Sequence, residues 1–222
     1  MLTTGLAATL QEEGFAARAV KPICLCGRQE AQAELSFISS ISKTPLTYPV
    51  QILERAASLS SFAWGEALRS CNSGTEPTLV ELPGSCATPM LRPHQGSSAW
   101  KDAADMASEL SWPCLLVARA GADAVEKLLL NAVYLSSRSL TVLGLVIVET
   151  VQDQAQDKRQ LGALELIGIG LQERVGVPLV GCLRYSPSIS VPRVSQGNLI
   201  KTTSSGLDLL PILKALNLRV SV

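Results

Sequence analysis

The stretch WPCLLVARAGADAVEKLLLNAVYLSSRSLTVLGLVI, residues 112–147, decides the fold class. Apolar runs at Pro113–Ala118 and Leu140–Val148 have the length and composition of buried strands. Between them, Asp123–Ser136 carries apolar residues at helical spacing. Apolar strands that alternate with helices are typical of a parallel sheet covered on both faces. The stretch therefore predicts an α/β fold.

The same alternation continues on both sides of this stretch. Other predicted elements include helices at Leu2–Glu13, Ala31–Ile41, Ala99–Leu110 and Leu207–Leu216, strands at Phe15–Ile23, Pro77–Leu82 and Leu179–Leu183, and loops at Pro83–Ser98 and Val191–Ser205. No internal repeat or linker stands out. We therefore predict a single domain over residues 1–222, with a mostly parallel sheet flanked by helices.

Composition excludes several classes of function. The 222 residues are 47% hydrophobic and 17% charged, which is typical of a globular protein. Lys plus Arg equals Asp plus Glu at 19 each, so we expect no binding to nucleic acid or to a membrane surface. We find no membrane-spanning apolar stretch and no signal peptide, and we expect a cytoplasmic protein. The pattern of the six cysteines favours interior free thiols over disulfides.

Several segments together resemble the dethiobiotin synthetase family, which has a P-loop nucleotide-binding fold. They are LTTGLAATLQEEGF (Leu2–Phe15), VKP (Val20–Pro22), TLVELPG (Thr78–Gly84), the stretch 112–147, and VGVPLVGCL (Val175–Leu183). That family forms the ureido ring of dethiobiotin from diaminopelargonic acid, carbon dioxide and ATP, with magnesium. The resemblance implies a P-loop NTPase-like fold and a homodimer or a protein partner. It also implies ATP and Mg as cofactors, if the family activity is retained.

The family begins with a strand, a G-x-x-x-x-G-K-T loop and a helix, and the loop cradles the phosphates of the nucleotide. Met1 of this sequence matches the position just after the Lys-Thr of that loop. As written, we therefore expect the first strand and the P-loop to be missing. A truncated or mis-assigned start is an alternative that the sequence leaves open.

The resemblance also implies site residues. Lys21 matches a lysine that faces the reacting carbamate and phosphate, where it would offset developing charge in a catalytic role. Glu81 matches a magnesium ligand at the end of a strand. Gly84 and Ser85 match the last two glycines of a G-A-G-G loop that binds substrate, whereas Pro83 departs from it and removes a backbone N–H. The alternatives are a solvated lysine for Lys21 and a salt bridge or cap for Glu81.

Other positions depart from the family pattern. A G-T-I-N-H-T-like run is replaced by Asp123–Leu128, and Val148 stands where an asparagine would read the adenine base. We therefore expect a binding or assembly module that has lost ATP-dependent chemistry. A genuine ATP- and Mg-dependent synthetase with an incomplete N-terminus is the alternative. A third hypothesis is a different enzyme that uses Lys21, Glu81 and Cys86. Whether the chain is an enzyme stays open.

Overall fold

The computed structural model describes residues 1–45, 50–54, 58–72, 74–93, 100–121, 123–150, 168–187 and 195–218. The chain divides into two compact units, Met1–Ser111 and Trp112–Val222, and each pairing of strands falls within one unit. The assignment of residues 1–222 to a single domain stays a prediction. No helix in the described ranges is both long enough and apolar enough to cross a membrane.

The first unit contains four helices and three pairs of short strands in its described part. The helices are α1 (Leu2–Glu12), α2 (Arg28–Ser42), α3 (Ser61–Asn72) and α4 (Ala103–Leu110); the strands are β1 (Arg18–Val20), β2 (Ile23–Cys24), β3 (Gln51–Ile52), β4 (Thr78–Val80), β5 (Pro89–Leu91) and β6 (Lys101–Asp102). β1 pairs with β4 and β2 pairs with β3, both in parallel, whereas β5 and β6 are antiparallel.

The second unit contains a three-stranded parallel sheet. Its elements are β7 (Cys114–Arg119), α5 (Ala124–Ser137), β8 (Val142–Val148), β9 (Leu179–Leu183), α6 (Gln196–Gly206) and α7 (Leu210–Ala215), and residues 168–175 are also helical. The strand order is β7-β8-β9. Parallel strands flanked by helices confirm the predicted α/β class.

The apolar patterns of the sequence explain both cores. In the second unit, Leu145, Val146 and Ile147 of β8 are completely buried. Leu128 and Leu135 of α5 are also buried, at the spacing that places them on one face of the helix. Burying an aliphatic side chain of this size contributes about 1.5–3 kcal/mol, so these residues are a main source of stability for the second unit.

In the first unit, a cluster of apolar side chains joins α1 and α2 to the paired strands β1 and β4. It contains Ala7, Ala19 and Ile38, with Leu79 packed against them. Small residues at Ala7 and Ala19 let the helix approach the strand closely. The cluster therefore holds the ends of β1 and β4 in fixed positions, next to one face of α2.

Two predicted loops contain regular structure. Pro83–Ser98 includes β5, which pairs with β6, and the Asp102 side chain then accepts a hydrogen bond from the backbone N–H of Asp105 to cap α4. Val191–Ser205 includes most of α6, which is polar except for buried positions such as Leu199. The first loop prediction was wrong at Pro89–Leu91 and the second from Gln196 onward, because short strands and mostly exposed helices carry little apolar periodicity. Residues 94–98 and 191–194 of these predictions lie outside the described residues.

Candidate functional site

Lys21 and Glu81 lie side by side in the first unit. The last paired positions of β1 and β4 are Val20 and Val80, and the backbone N–H of Glu81 donates to the carbonyl oxygen of Val20 at 2.8 Å. One residue beyond the β1 pairing, the Lys21 ammonium donates to Oε1 of Glu81 at 2.7 Å. The structure therefore brings together the two residues for which the sequence predicted catalytic and metal-binding roles.

A third charged residue, Glu34 of α2, completes this cluster. Its Oε2 atom lies 2.8 Å from Nζ of Lys21 in an ion pair. Sequence reasoning missed Glu34. The spacing carried a signal, because Glu34 lies three residues after Ala31 and four before Ile38, both buried. We call Lys21, Glu34 and Glu81 the charged cluster.

The charges of the cluster stabilise one another. Lys21 is only 7% exposed. Burial alone would lower the pKa of Lys21, but the carboxylates of Glu81 and Glu34 outweigh it and hold that pKa well above its usual value. For the carboxyl group of Glu81 the effect of burial has the opposite sign, and burial alone would raise its pKa. The Met1 amino group, Lys21 and a hydrogen bond from the Thr3 hydroxyl outweigh it and lower that pKa. Lys21 and Glu81 are therefore both charged at neutral pH.

A magnesium ion does not fit the cluster in this arrangement. Magnesium takes oxygen ligands at about 2.0–2.1 Å in octahedral geometry. Here the Lys21 ammonium lies between the carboxylates, 2.7 Å from Glu81 and 2.8 Å from Glu34. Within the described ranges, no group of three or more His, Cys, Asp or Glu side chains is placed to hold a metal ion. The metal-binding role of Glu81 stays a prediction from the resemblance.

Gly84 and Ser85 form a tight turn after β4. Gly84 has a φ of +75°, and a Cβ atom built there would lie 2.5 Å from Oγ1 of Thr88. The backbone N–H of Ser85 donates to that Oγ1 at 2.8 Å, and the N–H of Thr88 donates to the Ser85 carbonyl at 3.0 Å. Two internal hydrogen bonds thus hold the turn. A role for Gly84 and Ser85 in binding substrate stays a prediction.

A separate polar arrangement lies at the carboxyl ends of β8 and β9 in the second unit. The Glu149 side chain is 1% exposed. Its Oε1 accepts a hydrogen bond from Nη1 of Arg184 at 2.9 Å, and its Oε2 accepts one from the backbone N–H of Tyr185 at 3.1 Å. A buried carboxylate requires such partners. Glu149 therefore fastens the segment after β9 to the end of β8.

The two cysteines closest in sequence to Lys21, Cys24 and Cys26, are not activated thiols. All six cysteines are free. Burial raises the pKa of Cys24 to about 11 and that of Cys71 to about 12, and it also raises the pKa of Cys26. A thiol with a raised pKa is a poor nucleophile at neutral pH, because the thiolate is the reactive form. Cys24 and Cys26, the cysteines beside Lys21, are therefore suited to packing.

Comparison with known proteins gives one family match. Residues 94–193, just under half of the chain, match the family model described as an AAA domain. The matched segment includes β7, α5, β8 and β9. A search of curated proteins finds no match. Together, the matched segment and the parallel strands flanked by helices support a P-loop NTPase-like fold.

Proposed function

We propose that this chain is a binding or assembly module of the dethiobiotin synthetase type that does not carry out ATP-dependent ureido-ring formation. One observation carries the proposal: the Lys21 ammonium lies between the carboxylates of Glu81 and Glu34, at 2.7 and 2.8 Å. In the family reaction, a lysine at this position would face phosphate and carbamate oxygens. In this chain, the positive charge of Lys21 is already paired with the carboxylates of Glu81 and Glu34.

Turning Lys21 toward a ligand would be costly. Removing one partner from a buried ion pair typically costs about 3–5 kcal/mol, and partial exposure of the carboxylates reduces that figure. A bound anion would have to contribute binding free energy equal to this reduced cost before it could draw the ammonium away from the two carboxylates. The position implied for reading the adenine base supports the same proposal, because the Val148 side chain can neither donate nor accept a hydrogen bond and Glu149 is buried.

The test is titration calorimetry with ATP and magnesium, on this chain and on a version extended with the residues encoded upstream. We expect no binding by either version up to millimolar ATP. Binding of ATP in the micromolar range by the version without the extension would contradict the proposal. Circular dichroism of both proteins serves as the control for folding.

A genuine ATP- and Mg-dependent dethiobiotin synthetase, acting in biotin biosynthesis, is the second candidate. The observation that favours it is the closeness of Lys21 and Glu81 at the ends of adjacent parallel strands. Binding of ATP and magnesium by the extended version alone would favour this candidate. Formation of dethiobiotin from diaminopelargonic acid and carbon dioxide by that version would then establish it.

We also propose that the module acts in the cytoplasm as a homodimer, or with a protein partner, as the resemblance implies. Leu130 and Val133 support this proposal, because they are exposed apolar side chains three positions apart on α5. Light scattering coupled to gel filtration measures the mass in solution. We expect a dimer that Leu130→Ser weakens, whereas Ile169→Ser, at a similarly exposed apolar side chain of another helix, should leave it unchanged. If the wild-type protein is a monomer, the homodimer is ruled out and only the proposal of a protein partner is left.

A further inference from the structure

We draw no further inference here: the strongest candidate, the outer edge of the three-stranded sheet at β7, where the side chain of Val117 is 49% exposed, carries nothing, because the described part of the structure does not show what covers it.

Discussion

The Nζ atom of Lys21 lies 2.7 Å from Oε1 of Glu81, and each residue stands one position beyond the last paired residue of its strand, Val20 in β1 and Val80 in β4. In parallel strands with this register, equivalent positions are neighbours at the same edge of the sheet. The ion pair is therefore a consequence of strand pairing, and its stability should be coupled to that of β1 and β4.

Replacing the ammonium should destabilise the first unit. Lys21→Met keeps the apolar stem but removes the ammonium that pairs with both carboxylates. Exposed ion pairs contribute about 0–1 kcal/mol and breaking a buried pair costs about 3–5 kcal/mol, so we expect a loss of about 2–3 kcal/mol for this partly buried cluster. Urea unfolding measures it. Lys127→Met, in an exposed pair, should change stability by less than about 0.5 kcal/mol; equal losses in the two variants would refute the expectation.

The cluster should also make stability depend on pH in the acid range. The pKa of Glu81 is lowered below its unfolded value of 4.5, so its contribution is present above that pH and is lost as the pH falls through the folded pKa. The pKa of Lys21 is raised above 10.5, so its contribution is complete below that pH and is lost only in strong alkali. The difference in unfolding free energy between wild type and Glu81→Gln should therefore be constant near neutrality and shrink in acid. A difference that grows in acid would contradict this assignment.

The turn after β4 gives a prediction about backbone conformation. Gly84 has a φ of +75°, and an added Cβ would collide with the Thr88 side chain. The left-handed conformation alone costs a non-glycine residue about 1–2 kcal/mol, so Gly84→Ala should cost at least that much. Gly197→Ala is the matched control, because Gly197 lies in α6 with open space around it and no positive φ. That change should be neutral or stabilising by up to about 1 kcal/mol. Thermal unfolding that shows equal losses for both variants would argue against a strained turn.

The sequence predicted those parts of the fold in which burial produces a long pattern. The β9 bounds, Leu179–Leu183, agree with the prediction, and α5 begins and ends one residue later than predicted. Two- and three-residue strands such as β5 and β6 are too short to show alternation. α6 was missed because its buried residues, Leu199 and Thr203, include a polar one.

The candidate site was predictable only in part, for a related reason. Lys21 and Glu81 were identified because they match positions in the motifs of the family that the sequence resembles. Glu34 lies within a helix of low mean hydropathy, in which one more acid carries no distinct signal. Its place in the cluster depends on the packing of α2 against β1 and β4, which involves residues far apart in the chain.

Glu149 and Arg184 provide the sharpest test of the second unit. The Glu149 carboxylate is buried, and it accepts hydrogen bonds from Arg184 and from the backbone of Tyr185. Glu149→Gln keeps the size of the side chain but removes the charge. Because a buried, hydrogen-bonded charge pair is lost, we expect a destabilisation of about 3 kcal/mol. Arg184→Gln should cost less, because the Arg184 side chain is 39% exposed and water can replace part of its interaction.

The double variant separates this pair from its surroundings. If the two side chains stabilise each other directly, Glu149→Gln with Arg184→Gln should cost less than the two single changes together, with a coupling energy of about 1–3 kcal/mol in urea unfolding. The exposed pair of Lys127 and Asp123 is the reference, and its coupling should stay below about 0.5 kcal/mol. A coupling near zero for Glu149 and Arg184 would mean that the backbone of Tyr185 alone holds the carboxylate. The segment after β9 would then be fastened by one hydrogen bond, and Arg184 would be replaceable without loss of stability.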